Sequence, residues 1–451
     1  MSKTIIKNAI IVNEGKTFNG DVLISDSIIE RIAPLIDAPN ATEINAEGLY
    51  LIPGIIDDQV HFREPGLTQK ADIYTEAKAG LAGGVTSFMD MPNTNPAAVT
   101  RQLLEDKYEL ASHKSLANYS FFMGTSNTNI EEIKQVDVKH VCGIKIFMGS
   151  STGNLAITDD NALENIFKYA PTLVATHCED DAMIKENLEK YRLQYGDAIP
   201  VKFHPDIRNA ANCLKSSTLA TGLAKKHGTR LHILHISTAD ELPLFSNTTE
   251  LSKKQITAEA CVHHLWFDSS AYEKLGPLIK CNPAIKDKHH KEKLFEALLN
   301  DTLDIIATDH APHTWAEKFV QTDDGKLNYM KSPSGLPLVQ HSLNVMLQFY
   351  HQKKITLEKV VEKMCHAPAT CFKIEQRGYI REGYFADLAL VDINSEWLVN
   401  KSNILYKCGW SPFEEDTFKG KVTHTFVNGN LVYTNGVFNE SIKGMRLSFN
   451  R

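Results

Sequence analysis

Between Ile55 and Asp309 the chain alternates short apolar runs with amphipathic stretches, and does so eight times. The runs are IIDDQVH (55–61), VTSFMDM (85–91), ANYSFFMG (117–124), GIKIFMG (143–149), TLVATHC (172–178), LHILHIS (231–237), ITAEACVH (256–263) and DIIATD (304–309). Between most of them lie helix-like segments such as YTEAKAGLAGG, RQLLEDKYELASHK, DNALENIFKYA, KSSTLATGLAKKHG and HKEKLFEALLN. Eight strand-then-helix units over this length predict an α/β fold, a (β/α)8 TIM-like barrel. A doubly wound sheet is the alternative, but no G-x-G-x-x-G follows the first run.

The two ends of the chain read differently. TIIKNAIIV and DVLISDSIIERI alternate short apolar groups with polar turns, punctuated by Gly15, Gly20 and Gly48. After Cys371 the pattern returns in GYFADLALVDI and KVTHTFVNGNLVY, the latter carrying the turn pair Asn428-Gly429. Residues 1–53 and 371–451 are therefore expected to pair into a small flanking β-sandwich domain, beside a barrel spanning 54–370. A chain of 451 residues is long enough for both.

The formal net charge of −7 argues against a general binder of nucleic acid or anionic membranes, which needs a basic face. It leaves room for a local cationic pocket. Eight cysteines are scattered without a C-x-x-C pair, the pattern of buried thiols in a reducing compartment. The opening MSKTIIKNAIIVNEG lacks a signal-peptide pattern, and no apolar run approaches ~18 residues. A cytoplasmic protein without a membrane span is the expectation.

Functional groups of such barrels collect at the C-terminal ends of the strands. Here those ends carry His61, Lys145, His177, His235 and Asp309. Any one histidine in a strand reads more readily as a satisfied core residue than as a ligand. Five such groups at five strand ends read as a metal site. Lys145 stands between Ile144 and Ile146, and a lysine is rarely buried without a partner. One outlet is a depressed pKa; another is reaction of the neutral amine with carbon dioxide, giving an anionic carbamate with two oxygens able to bridge metal ions. The remaining histidines read more plainly: His232 on the other side of its strand, His263-His264 as core, surface or supporting donors, His289-His290 as a solvated face, and His204 in a loop. GSSTGN (149–154) lacks the ending of a phosphate loop and reads as a turn. Residues 311–335 read equally as a cover over the site or as a surface loop.

Taken together, PGIIDDQVHFREPG, MDMPNTNP, GIKIFMGSSTGN, ATHCE, LHILHIST, KCNPAI and ATDHAPH resemble the cyclic amidohydrolases, and within them the dihydroorotases. The resemblance covers nearly the whole chain and implies a metal-containing (β/α)8 barrel with a flanking β domain. By position it implies that His61 binds a first metal, that Lys145 bridges as its carbamate, and that His177 and His235 bind a second metal. It further implies that Asp309 binds the first metal and serves as general base and acid, and that Arg63, Asn93, Asn282 and His313 hold the substrate. The implied reaction is reversible ring closure of N-carbamoyl-L-aspartate to L-dihydroorotate, a step of pyrimidine synthesis. One or two zinc ions and a carbamate made from CO2 are the implied cofactors, and a homodimer the implied assembly. Zinc would lower the pKa of bound water and polarise the carbonyl under attack. Arg63 offers a planar fork for a carboxylate.

One residue departs from the resemblance. Side chains alternate along a strand, so 57, 59 and 61 share a face. Gln59 stands where the family places a histidine, while Asp58 points away and Asp57 can support a ligand from behind. An amide oxygen is a weaker zinc donor than imidazole, which makes Gln59 a tentative ligand. His61, the carbamate and Asp309 still make three ligands, a normal count for catalytic zinc. Two other readings stay open: a hydantoinase- or allantoinase-like enzyme, and a non-catalytic homologue acting as an assembly partner.

Overall fold

The computed structural model describes residues 3–149 and 155–451; residues 150–154 of the GSSTGN motif lie outside that set. All eight apolar runs form strands: Ile55–Val60, Val85–Asp90, Asn118–Phe121 continued by Met123–Gly124, Ile144–Met148, Val174–Cys178, Leu231–Ile233, Ile256–Cys261 and Ile305–Ala307. Every neighbouring pair among them is parallel. Their residues are almost without exception buried, as expected of parallel strands covered on both faces.

These strands form two sheets. One contains the first three strands in order, and the other runs from Met123–Gly124 to Ile305–Ala307. The run 118–124 contributes a strand to each, interrupted at Phe122. At the opposite seam Val60 bridges His310 in parallel, and the His61 amide donates to the His310 carbonyl at 2.7 Å.

The helices follow the expected segments. Arg101–Lys114 is capped by the Thr100 hydroxyl, which accepts from the Leu103 amide. Ala210–His227 begins five residues before KSSTLATGLAKKHG, because Asn209 caps it at that point, and it ends at Gly228 with φ of 73°. Among the described residues no helix is long and apolar enough to cross a membrane.

Both chain ends join a nine-stranded sheet. Its central junction pairs Tyr50–Pro53 with Leu388–Leu398 antiparallel, Leu388 opposite Pro53 and Val391 opposite Tyr50. Ile6, Val22, Leu51, Leu388 and Phe426 share one apolar cluster, so strands distant along the sheet meet in a common core. Buried Asp387 fastens this sheet to the parallel strands: it pairs with Arg377 and accepts from Asn118 Nδ2 at 3.1 Å.

Candidate active site

One cavity of about 310 Å³ is lined by all ten residues singled out in the sequence: Gln59, His61, Arg63, Asn93, Lys145, His177, His235, Asn282, Asp309 and His313. They come from segments far apart in the chain, brought together where strands end. Two of those endings are abrupt. His235 and Asp309 lie two residues beyond their short strands and have φ of 41° and 50°. A non-glycine residue seldom adopts the left-handed region, and here it re-aims each side chain into the cavity.

Around Asp309, His61 Nδ1 meets Asn93 Oδ1 at 2.7 Å, while His61 Nε2 lies 3.1 Å from Asp309 Oδ1. With the Nδ1 proton given to Asn93, two lone pairs face each other unless a proton or metal cation lies between them. Gln59 Nε2 donates to the same Asp309 oxygen at 3.0 Å. Its amide oxygen faces Cys261, 3.8 Å from Sγ, so ligation through that oxygen would need the amide to turn over. Earlier on the same strand, Asp57 accepts from the Thr308 hydroxyl at 2.6 Å, and burial together with the Asp58 charge pushes its carboxyl up to about 8.

Across the cavity, His177 Nδ1 and His235 Nε2 are 3.0 Å apart. Glu179 Oε2, 3.1 Å from His177 Nε2, holds the proton on that nitrogen and turns the Nδ1 lone pair inward. Burial alone would push Glu179 up, but the Arg208 guanidinium and His177 outweigh it and hold the carboxyl at about 2. Burial, then His177 and Lys145, push His235 well below the usual imidazole range. It is therefore neutral, the ligating form. Glu179 was missed in the sequence reading, although it lies two residues beyond His177, where alternation puts it on the same face.

Lys145 is 1% exposed, with Nζ 4.6 Å from the Phe147 ring centroid. Burial pushes its ammonium down to about 7, against the opposing pull of Asp309 and Glu259. Near neutral pH much of it is free amine, the form that adds to carbon dioxide. A nearby anion, two inward imidazole lone pairs and a desolvated amine are a donor set suited to zinc.

The other end of the cavity is cationic. Arg63 is buried, donates through Nε to the Pro312 carbonyl at 3.1 Å, and places Nη2 3.1 Å from His313 Nε2. Lys70 Nζ reaches His313 Nδ1 at 3.1 Å. Burial, Arg63 and Lys70 push His313 well below its usual range, so it is neutral between two cations. The buried Oδ1 of Asn282 has no hydrogen-bond partner among the described residues. Lys318 donates to the carbonyls of Pro333 and Gly335 at 2.9 and 3.1 Å and so holds the cavity wall at 333–335. Lys70 and Lys318 had no motif to reveal them.

Several sequence expectations need correction. His204 does not lie in a loop: it is buried in the short helix His204–Ile207, with Nδ1 2.7 Å from the Tyr329 hydroxyl and Nε2 2.7 Å from the Cys281 carbonyl, next to Asn282. His290 is half-buried and accepts from the Ala239 amide at 2.9 Å, so only His289 sits on a solvated face. Residues 311–335 are no plain surface loop, since Lys318, Asn328, Tyr329 and Ser332 are buried. His232 does point away from the cavity; it is buried 3.2 Å from Glu259 and 3.3 Å from Asp58.

Comparison with known proteins agrees with this geometry. A profile described as "Amidohydrolase family" matches residues 50–432. The chain is 30% identical to a dihydroorotase of Methanosphaera stadtmanae over 96% of both chains. It is 29% identical to an allantoinase of Deinococcus radiodurans over 98% of both. In fold it resembles the L-hydantoinase (dihydropyrimidinase) of Arthrobacter aurescens, with a TM-score of 0.91 at 24% identity, covering 97% of this chain and 98% of that one.

Proposed function

The chain belongs to the amidohydrolase family, and we propose that within it the protein is a dihydroorotase, closing N-carbamoyl-L-aspartate to L-dihydroorotate and reopening it. The observation that carries this reading is the buried Arg63, set beside His313 and Lys70 at one end of the cavity. Among the described residues no carboxylate is hydrogen-bonded to this guanidinium, which suits a substrate that brings its own. Dihydroorotate carries a ring carboxylate; the plain hydantoin ring does not.

Zinc, as one or two ions held by His61, Asp309, His177, His235 and the Lys145 carbamate, would polarise the amide carbonyl and activate water near neutral pH. The chain's own groups do the rest. Arg63, with Asn93 and His313 beside it, fixes the carboxylate and hence the ring. The Asn282 oxygen accepts from a ring N–H. Asp309 takes a proton during ring opening and returns it to the departing nitrogen, so closure begins with Asp309 protonated and is favoured by lower pH. Gln59 holds Asp309 in place through its amide N–H.

On this reading the two parallel sheets are one (β/α)8 barrel of residues 54–370, sealed at 118–124 and at the Val60–His310 bridge. The ends, 1–53 and 371–451, make the flanking β-sandwich. A cytoplasmic homodimer is the accompanying expectation.

An allantoinase is the second reading, favoured by relatives of that name at similar identity. Initial rates of ring opening on dihydroorotate, allantoin and hydantoin, with zinc and bicarbonate supplied and Asp309→Ala as control, separate the two. Turnover of dihydroorotate alone supports the proposal. Turnover of allantoin alone replaces it, and folded, zinc-loaded protein inert on all three points to the assembly-partner reading.

A further inference from the structure

The strand Ile256–Cys261 passes directly into the short helix Val262–Trp266 beside the catalytic cavity. At that junction Cys261, His263 and His264 bring one sulfur and two imidazoles within 4.8 Å of one another. All three side chains are buried, at 0%, 1% and 3% exposure. Neither ring nitrogen of His263 has a partner at full hydrogen-bond geometry among the described residues, and the only backbone group that acts on the ring as a weak hydrogen-bond partner is that of Thr308. His264 uses Nε2 toward the Pro283 carbonyl at 3.1 Å, and its buried Nδ1 has no partner among the described residues. Buried polar atoms are almost always satisfied, so two neighbouring rings that each keep a nitrogen without a close partner ask for a ligand.

The sulfur is equally available. Its contacts are long, 3.8 Å to Gln59 Oε1 and 3.8 Å to Glu259 Oε1. Burial and the neighbouring carboxylates of Asp309 and Asp58 make a bare thiolate unfavourable there. That same negative field favours a cation beside the sulfur. One sulfur and two neutral imidazoles are the donors of a borderline-soft divalent ion.

We propose that Cys261, His263 and His264 form a binding site for a thiophilic divalent cation, zinc in the native protein, separate from the ions at Lys145 and Asp309. As the metal–sulfur bond forms, the thiol proton leaves to solvent. Gln59 lies between the two centres, its oxygen toward Cys261 and its nitrogen toward Asp309. A cation at Cys261 therefore draws on the side of Gln59 that Asp309 does not use. The site is argued from these donors alone and does not rest on the dihydroorotase reading.

Cadmium added to the chelator-treated full-length protein is the first probe, because sulfur-to-cadmium charge transfer absorbs in the ultraviolet and the catalytic cavity is lined by no cysteine. The band is expected in the wild type and in Lys145→Ala, and is expected to vanish in Cys261→Ser. Its absence from the wild type, its survival in Cys261→Ser, or its loss in Lys145→Ala would each overturn the proposal of a separate site. Should Cys261→Ser fail to fold, X-ray absorption of the zinc-saturated wild type decides. A sulfur neighbour at about 2.3 Å supports the site, and a shell of nitrogen and oxygen alone refutes it.

Discussion

Gln59 and Asp309 are joined by a 3.0 Å hydrogen bond from the amide nitrogen of one to Oδ1 of the other. His61 Nε2 approaches the same oxygen, at 3.1 Å. Gln59 stands where the resemblance to the dihydroorotases implies an imidazole, yet it serves the carboxylate as a donor. A donor to Asp309 cannot also offer that atom to a metal. On the proposed function, a first metal would then rely on His61, Asp309 and the Lys145 carbamate.

The substitution Gln59→His should therefore tighten the first metal. Imidazole is a better zinc donor than a carboxamide, and a gain of roughly tenfold is in line with the effect of altering groups around a metal. The measurement is the concentration of chelator that removes half the zinc. An unchanged midpoint would mean that residue 59 does not reach the metal.

Lys145 leads to a second expectation. Its ammonium is pushed down to about 7 by burial, so the free amine is abundant near neutral pH and can form the carbamate. Native mass spectrometry in bicarbonate should find the intact protein heavier by one CO2, with the increment lost on acid denaturation and missing from Lys145→Ala. An increment that persists in Lys145→Ala would place the carbamate elsewhere.

The parts of this molecule that a sequence shows are those set by local pattern. Each of the eight strands was legible because burial on both faces demands an unbroken apolar run. Five of the ten cavity residues, His61, Lys145, His177, His235 and Asp309, were legible because they stand at the ends of those runs, and the other five only through motifs shared with the cyclic amidohydrolases. His204 was not, since its partners Tyr329 and Cys281 lie 125 and 77 residues away and no spacing records such a contact. Lys70 and Lys318 escaped for the same reason: each looks like an ordinary surface lysine until the fold brings it to His313 or to the cavity wall. The orientation of the Gln59 amide was equally invisible, because it depends on Asp309, 250 residues away.

Lys318 makes stability depend on pH. Burial lowers its pKa to about 7 from an ordinary 10.5. The folded state therefore disfavours the ammonium: the penalty is complete below about 7 and gone above 10.5. Between these limits the unfolded chain binds more protons, so stability rises with pH, by up to ~1.4 kcal/mol per unit. Lys318→Met abolishes this term and removes the Lys318 donor from the Pro333 and Gly335 carbonyls at every pH, while the Lys280 carbonyl keeps the Gly335 amide at 2.8 Å. Urea unfolding near pH 7 and near pH 9 should show the wild type gaining on Lys318→Met at the higher value. Parallel pH dependence in the two proteins would mean that Lys318 ionises normally in the fold.

Arg63 decides between the two functional readings. Arg63→Lys keeps the charge but loses the planar fork, and with it the paired hydrogen bonds to a carboxylate. For dihydroorotate kcat/KM should fall roughly 10- to 100-fold, the worth of a hydrogen bond to a charged group, chiefly through KM. The effect must be separated from damage to the cavity, because Arg63 also donates to the Pro312 carbonyl. Two controls do this: the thermal midpoint of the variant, and its zinc content, since among the described residues none of the proposed metal ligands is hydrogen-bonded to the guanidinium. With both unchanged and KM raised, Arg63 is the carboxylate's partner. With both unchanged and KM also unchanged, the substrate carries no carboxylate at this end of the cavity, and the allantoinase reading gains what the dihydroorotase reading loses.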